Sequence, residues 1–346
     1  MKVHEKYINR CLQLAKNGLG TTYPNPLVGS VIVYNDRIIG EGWHHKAGEP
    51  HAEVNAINSV KDESLLKKAT IYVSLEPCSH YGKTPPCSDL IVSKGIKRVV
   101  IGTIDPFAKV AGRGIKKLME AGCDVQVGIL EKQCKELNQR FFTFHQEKRP
   151  YIILKWAQTA NGYIAPNVQE KREPVWISNS YSKQLVHKWR SEEESILVGT
   201  ATAIEDNPNL NTRLWQGSDP VRVVIDRNLK IPKESALLDG SIKTIVFTEK
   251  NKVLENEKLI FEQLNFSENL PAQICEKLYQ HQLQSVIIEG GAKTLQHFIN
   301  AKLWDEARIF TGSAEFKNGI KAPNFSGKLK TKKAILNDTL KTYRND

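Results

Sequence analysis

A chain of 346 residues exceeds what one hydrophobic core usually serves, so two domains are expected. Hydrophobic residues at 40% and charged residues at 25% describe an ordinary globular enzyme and exclude a disordered or fibrous chain. The net charge of +11 is dispersed, and its densest runs lack interleaved aromatics, which favours solvated surface over a nucleic-acid patch.

Residues 3–16 carry the apolar spacing of an amphipathic helix, with Tyr7, Cys11 and Leu14 on one face. Strands are expected at 28–34 and 37–43, joined by an Asn35-Asp36 turn. A helix at 52–60, a strand at 69–75 and a helix at 88–94 stopped by Gly95 follow. A strand at 97–102, a helix at 114–120, a strand at 124–129 and one long helix at 131–147 complete the first unit. Pro150 closes it, which sets the boundary between residues 147 and 148. In the second unit strands are expected at 151–156, 195–198, 221–225, 243–247, 285–288 and 306–310. Helices fall between them at 180–190, 271–281 and 291–300. From Lys328 the periodicity fades, consistent with a last strand and a frayed end. Alternating helices and strands place both units in the α/β class, each a sheet with helices on its faces. No apolar run reaches the roughly eighteen residues of a membrane span. Residues 1–10 lack the apolar core of a signal peptide, so a cytoplasmic location is expected.

Of the six cysteines, Cys11, Cys123, Cys134 and Cys275 stand singly in apolar or amphipathic surroundings and read as buried thiols. Cys78 and Cys87 differ. They follow His51-Ala52-Glu53, and Cys78 is preceded by Glu76-Pro77. One imidazole and two thiolates suit zinc and leave a coordination position for water. Cys87 is placed at a helix start, which would lower its thiol pKa, and Cys78 at the end of a strand. Glu53, two residues past His51, is placed as the proton shuttle of a hydrolytic deamination in which the metal activates water. The pattern follows H-x-E…P-C-x-x-C, the signature of zinc deaminases. It departs in one respect: eight residues, Ser79 to Pro86, separate the two cysteines.

Beyond Pro150 no G-x-G-x-x-G follows a strand. Glu289-Gly290-Gly291 lies between a strand and a helix, where glycines admit a ligand to the backbone and a helix N-terminus favours a phosphate. A plain strand-to-helix turn fits the same residues equally well. Residues 206–213 are turn-rich, and Arg190 closes a helix, where a cation is favourable without any function.

Several segments together resemble one family. Thr21-Thr22-Tyr23-Pro24-Asn25-Pro26, Gly48-Glu49-Pro50-His51-Ala52-Glu53, the stretch from Leu75 to Cys87, Asp105-Pro106 and Val110-Ala111-Gly112-Arg113-Gly114 are similar to the bifunctional deaminase-reductases of bacterial riboflavin biosynthesis. The long loop between Cys78 and Cys87 is that family's own form. Leu154 to Gly162, Trp176-Ile177-Ser178, Gly199 to Thr202, Asp206 to Arg213, Val223 to Asp226 and Glu289-Gly290-Gly291 resemble its reductase half.

The resemblance implies a cytidine-deaminase-like three-layer αβα domain over residues 1–147, followed by a dihydrofolate-reductase-like α/β domain over 148–346. It implies Zn2+ held by His51, Cys78 and Cys87, with Glu53 as catalytic residue. Asn25 is implied as a substrate contact, His44 and His45 are candidates to line the site, and Lys83 and Thr84 to cover it. In the second domain it implies NADPH against Ala157, Trp176, Thr202, Asp206, Gly291, Ala292, Lys293, Thr294 and Leu295. Substrate is expected at Arg190, Leu210, Arg213 and Glu289, the two arginines on its ribose phosphate. Asn161 and Glu173-Pro174-Val175 depart from the family's usual residues at reductase contacts.

The expected substrate is a phosphorylated pyrimidine nucleotide, deaminated and then reduced in its ribosyl side chain to ribityl. No nucleic-acid or membrane partner is expected, and a homo-oligomer is compatible. The rival reading is a nucleic-acid deaminase acting on adenosine in tRNA, with an accessory domain. A binding protein with a structural zinc is a third, against which Glu53 argues.

Overall fold

The computed structural model describes residues 2–79, 81, 85–107, 110–167, 175–251 and 257–345. Lys83, Thr84 and Glu173-Pro174 lie outside the described residues. The chain divides into two compact units, Met1–Glu147 and Lys148–Asp346. Among the described residues no helix is long and apolar enough to cross a membrane.

The first unit is built on strands β1 (Gly29–Tyr34), β2 (Arg37–Trp43), β3 (Thr70–Val73), β4 (Arg98–Ile101) and β5 (Asp124–Val127), in the order β2-β1-β3-β4-β5. The β1 pairs are antiparallel, and β3, β4 and β5 run parallel. Alternation along the strands feeds two apolar layers. Ile32, Ile71, Val73, Val99 and Ile101 meet Ala56 and Ile57 of α2 (Ala52–Asn58), Ile91 of α3 (Cys87–Ser93) and Leu118 of α4 (Arg113–Glu120). Val31, Val33, Tyr72 and Val100 face the other way, onto Tyr7, Ile8 and Cys11 of α1 (Lys2–Ala15) and Cys134 of α5 (Glu131–Leu137).

The long helix expected over 131–147 is broken. Asn138 separates α5 from α6 (Gln139–Glu147). Its side chain leaves the helical pattern to pair with the backbone of Leu27, accepting from the N–H at 2.7 Å and donating to the carbonyl at 2.8 Å. This buried pair anchors the segment that carries Asn25.

The second unit has a nine-stranded sheet in the order β11-β10-β9-β8-β12-β6-β13-β16-β15. Its members are β6 (Tyr151–Gln158), β8 (Ser195–Gly199), β9 (Val221–Ile225), β10 (Thr244–Thr248), β11 (Leu259–Gln263), β12 (Ser285–Ile288), β13 (Glu306–Thr311), β15 (Lys328–Ile335) and β16 (Asp338–Arg344). A separate two-stranded sheet pairs β7 (Tyr163–Ala165) with β14 (Ile320–Lys321). The strands from β11 to β13 are parallel, and β16 and β15 add antiparallel.

The tail is therefore a hairpin rather than one strand with a frayed end. Its faint periodicity follows from its place at the sheet edge, where β15 is mostly exposed. Helices α9 (Leu270–Gln280) and α10 (Ala292–Asn300) cover one face of the sheet, through Ile274, Leu278, Leu295 and Phe298. Helices α7 (Ser180–Glu192) and α8 (Thr200–Asp206) cover the other, through Val186, Trp189 and Ala203. Both α7 and α9 start on an asparagine whose side chain accepts a first-turn N–H, Asn179 from Ser182 and Asn269 from Ala272.

Candidate active sites

The deaminase-like residues gather beyond the ends of β2 and β3. Pro50 ends the approach to α2 and His51 caps it. The donor atoms of His51, Cys78 and Cys87 all lie within 4.8 Å of one another. His51 Nδ1 is 3.6 Å from Cys78 Sγ and 3.4 Å from Cys87 Sγ. Cys78 Sγ also accepts the backbone N–H of Cys87 at 3.3 Å. One imidazole and two sulfurs converging on a common point are the donor set of a zinc site with an open position, so these residues fit the metal.

The placement corrects one expectation and bears out another, since Cys87 opens α3. Strand β3 stops at Val73, so Cys78 lies in the loop beyond the strand rather than at its end. The Cys78 thiol is pulled down, chiefly by the neighbouring Cys87 and then by His51, against the effect of burial. Cys87 moves up, because it donates to Cys78 and is itself buried.

Glu53 is 3% exposed in the first turn of α2. Burial pushes its carboxyl up to about 7, with His51 opposing. A carboxyl near neutrality can both take and return a proton.

His44 is buried, its ring centroid 5.2 Å from that of His51. Its Nδ1 lies 3.2 Å from the carbonyl of Pro50, and its Nε2 lies 3.0 Å from Asn25 Nδ2. That pattern suits a neutral ring donating to the carbonyl and accepting from the amide. Burial lowers its pKa to match. Asn25 is thus held beside the cluster, whereas the exposed His45 packs on Trp43 with ring centroids 4.4 Å apart. Sequence reasoning gave no role to Asp105, which is buried and pushed up to about 7 by burial, with Glu76 and Cys78 adding to the shift. Its Asp-Pro motif was visible; its burial was not.

The second unit contains a cavity of about 770 Å³ at the C-terminal ends of β6, β8, β9 and β12. Ligands favour that end of a parallel sheet. All the residues singled out there by resemblance line it: Ala157, Trp176, Thr202, Asp206 and residues 291–295 on one hand, Arg190, Leu210, Arg213 and Glu289 on the other. Gly290 permits β12 to meet β8, since a Cβ there would lie 2.6 Å from Val198 Cα. Gly291 has φ +66° and starts α10 with no side chain capping it. First-turn amides left uncapped at a cavity wall suit the phosphates of a dinucleotide.

Asn161 braces a turn instead, donating to the carbonyl of Phe316 at 2.8 Å and accepting from Thr159 Oγ1 at 2.7 Å. It is absent from the cavity wall, whereas Val175 lines it.

The charge pattern of this cavity was not legible in the sequence. Glu289 accepts from Arg190 Nη2 at 2.8 Å and lies 3.6 Å from Lys155 Nζ, all three groups being largely buried. Burial alone would raise the Glu289 carboxyl, but Arg190 and Lys155 hold it at about 2. Burial lowers the pKa of Lys155, Arg190 adds to the shift, and Glu289 resists it. Arg190 also donates to the carbonyl of Asn211 at 3.2 Å, so its guanidinium is largely engaged within the protein. Arg213 donates to the neutral side chain of Asn211, at 3.0 Å. Among the described residues, buried Glu289 Oε1, Arg190 Nε and His187 Nδ1 have no hydrogen-bond partner.

The loop bearing Leu210 and Arg213 is propped from below by buried Arg222, which donates to the carbonyls of Asn209 and Ala236, both at 2.9 Å. An arginine inside an apolar strand is the one sequence signal for this support.

Comparisons with known proteins fall on these two units separately. Residues 1–103 match the family described as cytidine and deoxycytidylate deaminase zinc-binding region, and residues 150–316 match the RibD C-terminal domain. The riboflavin biosynthesis protein RibD of Aquifex aeolicus is 39% identical over 332 residues, covering 92% of this chain and 89% of that protein. RibD of Bacillus amyloliquefaciens is 39% identical over 317 residues, covering 89% and 84%. The crystal structure of the diaminohydroxyphosphoribosylaminopyrimidine deaminase/5-amino-6-(5-phosphoribosylamino)uracil reductase of Thermotoga maritima is 35% identical, with a TM-score of 0.90 over 99% of both chains. RibD of Acinetobacter baumannii is 32% identical, with a TM-score of 0.88 over 99% of both chains.

A likeness that spans both units disfavours a tRNA deaminase with an unrelated accessory domain. The protein is a bifunctional enzyme with a zinc-dependent deaminase domain and an NADPH-using reductase domain. The chain belongs to the RibD family of riboflavin-biosynthesis deaminase-reductases.

Proposed function

We propose that residues 1–147 deaminate 2,5-diamino-6-(5-phosphoribosylamino)pyrimidin-4-one and that residues 148–346 reduce the ribosyl side chain of the product to ribityl. The observation that carries this reading is the presence in one chain of two separate sites. One is a His51, Cys78 and Cys87 cluster with Glu53 beside it, and the other is a cavity with a buried cationic wall around Glu289.

In the deaminase, zinc supplies an activated water when His51, Cys78 and Cys87 bind it. Glu53 takes the proton of the attacking water and returns it to the departing amine. Asn25, held against His44, orients the base.

In the reductase, NADPH supplies the hydride. Ala157, Trp176, Thr202, Asp206 and the uncapped turn at residues 291–295 would hold the cofactor. Lys155 gives a proton to the ribose ring as it opens, because burial lowers its pKa and makes its ammonium a stronger donor than in water, while Glu289, kept ionised by Arg190 and Lys155, holds that ammonium in position. Arg213 faces the ribose phosphate, Arg190 completes that wall through its unpartnered Nε, and Leu210 packs against the substrate. A cytoplasmic location, which keeps Cys78 and Cys87 reduced, and a small-molecule substrate without nucleic acid belong to the same reading.

The test is an assay of the purified chain with the pyrimidine nucleotide, reading ammonia and NADPH together. Ammonia should appear without NADPH, and NADPH should be consumed when the deaminated product is supplied directly. Ammonia released only from a tRNA stem-loop would overturn the reading.

A further inference from the structure

Glu76 stands one residue before the Pro77-Cys78 pair, and its carboxylate is only 4% exposed. It accepts four backbone N–H groups. Oε2 takes those of Gly112 at 2.9 Å and Asp105 at 3.3 Å, and Oε1 those of Gly114 at 2.9 Å and Ile115 at 3.3 Å. Three of these amides belong to the start of α4, where a carboxylate is favoured by the helix dipole and by unpaired N–H groups.

The Gly112-Arg113-Gly114 motif, which the two reactions leave without a role, is the socket for this carboxylate. Gly112 adopts φ +78°, a conformation that side chains resist, and so turns its N–H toward Glu76. A Cβ on Gly114 would lie 2.0 Å from the carbonyl of Pro77, so only glycine lets α4 come this close to the segment carrying Cys78.

Cys78 is fixed on its other side as well. Its carbonyl accepts the N–H of Ser88 at 3.1 Å and its sulfur accepts the N–H of Cys87. The Glu76 N–H donates to the carbonyl of Thr103 at 3.0 Å, which ties the segment to the end of β4.

We propose that Glu76 is a positioning residue for the deaminase centre, its amide-bound carboxylate holding Pro77-Cys78 so that the Cys78 sulfur is in place before zinc arrives. The proposal rests on Cys78 being a zinc ligand. A glutamine at this position is isosteric but offers one acceptor oxygen, and its NH2 would face two N–H donors. Buried donors left unpaired in this way distort their surroundings.

The test compares the full chain with its Glu76→Gln, Gly114→Ala and Cys78→Ser variants. Zinc affinity is read by chelator competition, deamination by ammonia release, folding of the first unit by thermal melting, and reduction of deaminated substrate confirms that the second unit is intact. Glu76→Gln should weaken zinc binding by about 10–100-fold, the usual cost of losing a group that orients a ligand. Deamination should fall with it while reduction is unchanged. Gly114→Ala, which pushes on Pro77 from the opposite side, should give the same signature.

A Glu76→Gln protein that melts earlier yet binds zinc as tightly as wild type would overturn the proposal and leave Glu76 a helix cap. If Cys78→Ser leaves zinc affinity unaltered, the ligand assignment itself fails. Should Glu76→Gln not fold, Glu76→Asp keeps the charge but withdraws it by one methylene, and undiminished zinc affinity in that variant overturns the proposal equally.

Discussion

The two sites solve different physical problems. The deaminase centre concentrates its chemistry: three donor atoms within 4.8 Å, drawn from two short segments, with Glu53 two residues from one of them. The reductase cavity is dispersed over the ends of four strands, and its Lys155, Arg190 and Glu289 come from three elements. A metal brings its own charge, so its protein ligands need only converge. A hydride acceptor with a phosphate tail needs a long wall whose charges are balanced by the protein itself. The first arrangement is intolerant of losing any one group, whereas the second spreads the loss among neighbours.

That contrast is sharpest at Glu53. Glu53→Gln should cost deamination about 10²–10⁴-fold, the usual contribution of a positioned acid/base. Zinc content and reduction of deaminated substrate should be unchanged. Loss of both activities together would show that the two sites do not act independently.

The same contrast decided what could be read in advance. His51, Glu53, Cys78 and Cys87 announce themselves because metal chemistry restricts residue type and spacing, and resemblance then pointed to the wall of the reductase cavity. Strand periodicity anticipated all five strands of the first sheet, which bury alternate residues on two helix layers, and β6, β8, β9, β10, β12 and β13 of the large second sheet, but not β11 or the small β7–β14 pair. What escaped depends on distant partners. Asn138 breaks a helix because Leu27, far away in sequence, offers a complete pair of hydrogen bonds. Lys155 and His187 look like exposed positions of amphipathic elements until the fold turns them onto Glu289 and the arginines. The final hairpin hid because an edge strand with four lysines has little alternation to detect.

In the reductase cavity the largest effect is expected at Glu289. Glu289→Gln leaves Lys155 and Arg190 buried together without their counter-charge, and breaking such a set typically costs about 3–5 kcal/mol. Five of the six tryptophans lie in the second unit, so fluorescence during urea unfolding reports on it. An unaltered midpoint would mean that Lys155 simply sheds its proton. A smaller effect is expected at Arg213. Losing one charge-assisted phosphate contact costs about 1.5–3 kcal/mol, so Arg213→Ala should raise the reductase KM roughly ten- to a hundred-fold. Deamination should be untouched. Equal weakening of phosphorylated and dephosphorylated substrates would remove Arg213 from the phosphate.

The smallest expected effect falls on His187, whose charge the cavity suppresses. The ring is 3% exposed on α7. Burial pushes its pKa down to about 4, Arg190 on the same helix and Arg213 on the loop after α8 push further, and the Asn211 carbonyl and Glu289 oppose them. Lys183 lines the same cavity one turn earlier on α7 and adds no anion. In the unfolded chain the ring titrates at its ordinary 6.5, so the unfolded state takes up a proton that the fold refuses. The neutral ring's contribution is therefore intact above about pH 6.5 and is lost as pH falls toward 4. It amounts to about 1–3 kcal/mol across that window. Comparing the urea midpoints of wild type and His187→Gln at pH 7.5 and 5 isolates this contribution, because the remaining titrating groups are common to both proteins. Wild type should lose more stability on acidification than the variant. Equal losses would mean that the ring accepts its proton in the fold and that the cationic wall is better screened than its geometry implies.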